Sequence, residues 1–233
     1  FSCKLLNAFP IKLSQIDLSG YRFDAGPSLF TLPKLVDELF ELAGKNPRDY
    51  FNYIRLPEIC KYFWTDGTQL STHADAQETA SEMAKVLGEE EANVAEFLKG
   101  LQDKYEIISE LFLENSLQDL STWTSKKAMR GYLNIPNLGL FSTMHAYHAR
   151  RFKHPKTVQL FDRYATYNGS NPYQTPATLS VIPNLEYNIG AFMPVGGMIS
   201  ITNSLCRLAK ELGVEFRMNE KVEEIVTEGQ RAV

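Results

Sequence analysis

The sequence predicts an α/β chain in which helices and short strands are mixed, and three observations predict it. Apolar residues recur at helical spacing along much of the chain, most extensively between Glu90 and Asn115. Two-residue turn signals, Ser19-Gly20 and Asp66-Gly67, sit between stretches that read as paired strands. Towards the end, an amphipathic helix stopped by Gly213 is followed by alternating apolar residues, a helix-then-strand unit.

Composition bounds the function. The 233 residues suffice for one large domain or two small ones, and 44% hydrophobic residues can fill a core. A net charge of −4 excludes the basic footprint that nucleic-acid binding requires. Cys3, Cys60 and Cys206 lie far apart without metal-ligand spacing, so they read as reduced thiols in a cytoplasmic protein. No apolar run approaches the roughly 18 residues of a membrane span, so any membrane contact is expected to be peripheral. The chain starts at Phe1 rather than Met and stops in mid-pattern at Val233, and it reads as a fragment.

In order, residues 1–11 form an apolar-rich segment without a clear assignment, and 12–24 read as a β-hairpin turning at Ser19-Gly20. Ala25-Gly26-Pro27-Ser28 makes a tight exit, since Pro27 fixes its own φ and extends the residue before it. Pro33 starts a helix carrying Leu35, Val36, Leu39, Phe40 and Leu42, closed by Gly44. Strands follow at 54–56, 59–64 and 68–72, where Tyr62, Phe63 and Trp64 suit either a core or a large apolar pocket. Asp75 with Glu78 has capping-box spacing before a helix ending at Gly88. Glu89-Glu90-Glu91 is expected as a solvated helix start and not a metal site.

Further helices are expected at 125–133, 138–152 and from Pro155 to Tyr164. The second carries His145-x-x-His148, expected as exposed histidines rather than metal ligands, and the basic run 150–154. That run suits either an anionic lipid surface or a helix C-terminus. Residues 164–198 are rich in Pro, Asn, Gly and aromatics and end in Pro194-Val195-Gly196-Gly197-Met198, before a helix bearing Ile201, Leu205, Leu208, Ala209 and Leu212. Strands are expected at 214–218 and 221–226.

The ordered set GYRFDAGPSLF from Gly20, then YATYNGSNPY, PATLS and GAFMPVGGM between Tyr164 and Met198, closely resembles the carotenoid desaturases of the bacterial and fungal phytoene desaturase type. These include hydroxycarotenoid 3,4-desaturases and belong to the FAD-dependent, amine-oxidase-like flavoproteins. The resemblance covers about Lys12 to Val233. It implies a Rossmann-type FAD-binding domain built from residues 1–30 and 195–233. An inserted substrate-binding and membrane-contacting domain of helices on a β-sheet would occupy 31–194. It implies FAD contacts at Lys12, Gly26, Pro27, Ser28, Gly196, Gly197 and the backbone of Val222, with Tyr173 and Phe192 flanking a polyene. The family's GxGxxG segment is absent from the sequence, and Pro10-Ile11 stands where the family has Gly-Gly before the basic residue.

The activity implied is dehydrogenation of a carotenoid by a cytoplasmic, peripherally membrane-associated enzyme. No side chain supplies a two-electron acceptor, so a flavin must. The sequence offers no nucleophilic triad or paired-carboxylate site, and no catalytic side chain is assigned; Asp24 is expected to bond local backbone. Two alternatives stay open: another amine-oxidase-like flavin oxidoreductase, and a non-catalytic isoprenoid-binding module or inactive fragment.

Overall fold

The computed structural model describes residues 13–109, 118–119, 124, 139, 141–217 and 224–232. The chain divides into two compact units, one of residues 1–54 with 193–233 and the other of residues 55–192. Residues of the 31–54 stretch pack with helix Ile199–Glu211 of their own unit. No helix among the described residues is long and apolar enough to cross a membrane.

The discontinuous unit begins with the hairpin β1 (Ser14–Leu18) and β2 (Tyr21–Ala25), in antiparallel register with Leu18 opposite Tyr21. Ser19 and Gly20 both have positive φ, 52° and 84°, as a type I′ turn requires. Helix α1 (Lys34–Leu42) turns Phe40 inward, where its ring lies 5.0 Å from Tyr50. Phe30, Phe51 and Tyr53 form a second aromatic knot with centroids 5.6–5.8 Å apart. Short strand β3 (Tyr53–Arg55) pairs with β6 (Phe192–Pro194), and the chain passes between units within these two strands. Helix α6 (Ile199–Glu211) holds this layer: Ser204 donates to the Tyr50 carbonyl at 2.9 Å and the Arg207 guanidinium lies 3.9 Å over the Tyr50 ring.

The continuous unit has the larger core. Ribbon β4 (Glu58–Phe63) and β5 (Gln69–His73) turns at Asp66-Gly67 and packs against α2 (Ala76–Leu87). Asp75 caps α2 as its spacing predicts, accepting from the N–H groups of Gln77 and Glu78, and Gly88 ends it in the left-handed region. Helices α3 (Glu91–Ile108), α4 (Met144–Arg151) and α5 (Pro155–Asp162) then close around Phe97. The Phe97 ring meets Phe161 edge-on at 4.8 Å and Phe152 at 5.0 Å. Burying such a ring contributes about 1.5–3 kcal/mol. After α5 the chain continues through a 3-10 segment (Arg163–Asn168), a second (Ala177–Val181) and a π-helical turn (Leu185–Gly190).

Several expectations are corrected. Helix α4 starts at Met144, not 138, because the Thr143 side chain caps it by accepting from Ala146 N–H at 3.2 Å. Glu89 is buried rather than solvated, and its carboxylate accepts from the N–H groups of Lys153 and His154 at 3.3 and 2.8 Å. Residues 214–217 and 224–226 are not in strands, since a lone strand gains nothing without a neighbour to pair with. A small hairpin, β7 (Thr227–Glu228) with β8 (Arg231–Ala232), follows instead. The helix expected at 125–133, the end of that expected at 90–115, and residues 218 and 221–223 of the expected strands lie outside the described residues. The four sheets found among the described residues are all two-stranded ribbons.

Candidate functional site

In the discontinuous unit, Gly196 and Gly197, two of the residues expected at the cofactor, form one tight turn. Val195 N–H donates to the Asn52 carbonyl at 2.8 Å and Gly197 N–H to Pro194 at 3.0 Å, which folds Pro194–Gly197 tightly. Gly196 and Gly197 have φ of 94° and 85°, a region side chains rarely tolerate. At Gly197 space is lacking as well: a Cβ there would lie 2.7 Å from Asp24 Oδ1. At Gly196 the nearest atom, Ser200 Cβ, would be 3.8 Å away, so that position is restricted by backbone shape alone.

Asp24 is the residue that local reasoning misplaced. Its carboxylate accepts from Met198 N–H at 3.1 Å, reaching across 174 residues instead of bonding its own turn. The end of β2 and the start of α6 are thereby joined, and Gly26, Pro27 and Ser28, all exposed, follow two residues after the junction. Helix α6 takes no cap from the Met198 side chain; Asp24 holds Met198 N–H, and the N–H groups of Ser200 and Ile201 bond back to the Gly197 and Met198 carbonyls at 3.0 and 3.2 Å. At Gly196 the main chain is open to a planar group, since no atom lies within 3.8 Å of where a Cβ would stand. Lys12 and Val222 lie outside the described residues.

The two residues expected to flank a polyene sit in the other unit, in different surroundings. Tyr173 is 63% exposed and lines a cleft of about 670 Å3 together with Trp64, His145, Phe152 and Val158. Phe192 is half-buried and wedged at Gly190, where a Cβ would meet its ring at 3.1 Å and Arg55 Nε at 2.8 Å. Of the aromatic triplet, Trp64 serves the cleft, Tyr62 packs on the core and Phe63 is 67% exposed.

Beside the cleft is a cluster that sequence reasoning missed. His145 and His148 each bring Nδ1 to 2.7 Å from Asp162, one to each carboxylate oxygen. His148 is wholly buried, so the expectation of two exposed histidines is wrong. The i, i+3 spacing had placed both on one helix face, but their acidic partner lies fourteen residues beyond His148, on α5. Burial raises the pKa of Asp162, yet bonds from His148 and then His145 outweigh it and hold the carboxyl below its ordinary value. For His148 burial dominates and lowers the pKa, keeping the ring neutral.

A second buried carboxylate, Glu186, accepts from Tyr164 at 2.6 Å, Tyr167 at 2.5 Å and Arg163 at 3.1 Å. Burial pushes the Tyr164 hydroxyl well above its ordinary pKa and Tyr187 up to about 12. Every donor is therefore protonated at neutral pH, and the cluster locks the π-helical turn to the 3-10 segment. The basic run is also mostly engaged: Arg151 meets Glu96 at 2.9 Å, Lys153 meets Glu90 at 3.8 Å, and His154 caps α5.

Known proteins extend this picture. The chain is 46% identical over 214 residues to a 1-hydroxycarotenoid 3,4-desaturase of Flavobacterium sp. (strain P99-3), covering 92% of this chain and 43% of that protein. It is 29% identical to a carotenoid 3,4-desaturase of Haloarcula japonica, covering 92% of this chain and 43% of the relative. It is 30% identical to a 4,4'-diapolycopene oxygenase of Methylomonas sp, covering 95% and 44%. The chain thus spans less than half the length of these relatives. The model of the family described as flavin containing amine oxidoreductase matches residues 12–233. With nearly every residue inside that match, the chain belongs to the flavin-containing amine oxidoreductase family.

Proposed function

We propose that the complete protein is an FAD-dependent carotenoid desaturase, which removes hydrogen from adjacent carbons of a long polyene and extends its conjugation. The observation that carries this reading is the 46% identity to a protein named as a 1-hydroxycarotenoid 3,4-desaturase, held over 92% of the chain. In this reading the unit of 1–54 and 193–233 supplies part of the FAD site, and the unit of 55–192 supplies substrate contacts. Gly196 and Gly197 lie against the flavin ring with Gly26, Pro27 and Ser28 beside it, and Lys12 and Val222 serve its remainder. Bound FAD supplies the two-electron acceptor that no side chain offers. The chain's own residues shape and hold the site: Asp24 fixes the turn through Met198 N–H, and Tyr173 and Phe192 offer aromatic surface to the polyene.

Peripheral contact with a membrane belongs to the same proposal, because a polyene substrate resides in lipid. Arg150, exposed on α4 beside the engaged cations of its run, is the residue we assign to that contact. The test is expression of the complete protein in a host that accumulates a pale acyclic carotenoid. The expected result is a bound yellow flavin and a shift of carotenoid absorption to longer wavelength. Unchanged carotenoids in the presence of a flavin-loaded protein contradict the reading. A product with added oxygen replaces it with the chemistry named for the Methylomonas relative.

A further inference from the structure

Gly190 brings together two side chains that the desaturase reading leaves unconnected. It ends the π-helical turn, is buried, and has φ of 127°, a region that side chains rarely adopt. A Cβ there would lie 2.8 Å from Arg55 Nε and 3.1 Å from both Cε2 and Cζ of the Phe192 ring. The missing side chain therefore leaves a notch that the Arg55 side chain and the edge of the Phe192 ring share.

The backbone around this notch is held firmly. Glu186, in the same turn, takes hydrogen bonds from Tyr164, Tyr167 and Arg163. The Asn188 amide donates to the Leu98 carbonyl at 2.9 Å and to Asn184 at 2.6 Å. Leu56 N–H donates to the Ala191 carbonyl at 2.9 Å, which ties the chain after Arg55 to the chain between Gly190 and Phe192. Arg55 itself is exposed, and no hydrogen bond or ion pair to another described residue engages its guanidinium. Its contribution here is packing: an arginine stem covers apolar surface while the charged head stays in water. Phe192 is half-buried, so its ring is held at one edge and presented to its surroundings elsewhere.

We propose that Gly190 and Arg55 form a clamp that fixes the Phe192 ring as a wall of the polyene site, which makes both of them positioning residues for the substrate. Arg55 acts through the length of its side chain and not through its charge. The inference rests on the polyene reading above and adds to it the two residues that give the Phe192 wall one orientation.

The test is titration of the complete, flavin-loaded protein with lycopene in detergent micelles. Binding is read by the circular dichroism that an achiral polyene acquires in an asymmetric site. The unaltered protein is expected to bind lycopene and to induce that signal. Arg55→Ala should weaken binding about ten-fold, the scale of a small misfit in an apolar pocket, and reduce the signal per bound molecule. Arg55→Met, whose terminal carbon reaches the position of Nε, should restore most of both. Once Phe192→Ala has removed the ring, Arg55→Ala should have no further effect, since the two residues act as one unit. Gly190→Ala, which fills the notch, should resemble Arg55→Ala; if it does not fold, the Arg55 and Phe192 variants decide. No lycopene binding by the unaltered protein, equal binding by Arg55→Ala, an Arg55→Met as weak as Arg55→Ala, or additive losses in the double variant overturns the proposal. Binding is read without turnover, so the two readings fail separately. Desaturation with equal binding by Arg55→Ala refutes this inference alone, and a lycopene affinity set by Arg55 without desaturation refutes the desaturase reading alone.

Discussion

The two units of this chain are stabilised in different ways. Residues 55–192 are contiguous and enclose an aromatic core in which Phe97, Phe161, Tyr164 and Tyr187 are almost wholly buried. The unit of 1–54 and 193–233 is assembled from separate pieces of chain, and its hairpin leaves one face apolar and exposed. Ile16 and Phe23 stand opposite one another on that face, as do Leu18 and Tyr21, and all four are between 46% and 71% exposed. Packing dominates the first unit. In the second, backbone shape and a few long-range hydrogen bonds decide the structure at the turn expected to meet the cofactor. Substitutions should therefore act through different quantities in the two units.

The largest expected effect is in the aromatic core. Phe161→Ala should cost about 3–5 kcal/mol by leaving a cavity beneath Phe97, measured by chemical denaturation of the complete protein. Phe23→Ala, on the exposed hairpin face, should stay within about 0.5 kcal/mol. Comparable losses at both positions would break the contrast between the units.

At the glycine turn the expected readout is cofactor retention more than stability. Gly197→Ala places a methyl group against Asp24 and adopts an unfavourable φ, costing about 1–3 kcal/mol locally. It should release flavin, seen as loss of yellow absorbance after purification. Gly196→Ala carries the backbone penalty without the clash and should retain more flavin, unless the ring itself occupies that space. If Gly196→Ala loses at least as much flavin as Gly197→Ala, contact with the ring rather than the Asp24 junction governs binding.

The Asp162 cluster predicts an acid-sensitive continuous unit. His148 has a lowered pKa when folded, so folding favours its neutral form. Stability should fall as pH drops below the unfolded histidine value of about 6.5. Asp162 is also lowered, so its contribution is present above the unfolded carboxyl value of about 3.9 and is lost as pH falls further. Both act in one direction, and denaturation midpoints should decline between pH 7.5 and 5. Asp162→Asn should cost about 1–3 kcal/mol at neutral pH, since it removes a charged acceptor from a buried histidine. A smaller change is expected at the α4 cap, where Thr143→Ala should cost about 1 kcal/mol.

What could be read from the sequence follows the range of the interactions. The Ser19-Gly20 hairpin, the Asp75 cap and the Asp66-Gly67 ribbon all rest on neighbours within a few residues, and all formed where expected. Asp24, Glu89 and Asp162 were misjudged or unnoticed for the converse reason. Each carboxylate finds its donor on a distant stretch, and nothing in the residues around it records that partner. The strands expected at 214–218 and 221–226 depend on a neighbouring strand, which local alternation cannot supply. For the histidines a usable signal did exist: two imidazoles on one helix face require an acceptor when buried, and α5 ends in the one aspartate of its sequence.

The most direct test of the central claim is the mass and absorption spectrum of the carotenoids formed by the complete protein in a host supplying an acyclic hydroxylated carotenoid. The account predicts a product that lacks one pair of hydrogens relative to the precursor and absorbs at longer wavelength, formed by the unaltered protein and lost in Gly197→Ala. A product of unchanged mass, or one that has gained oxygen, would contradict it.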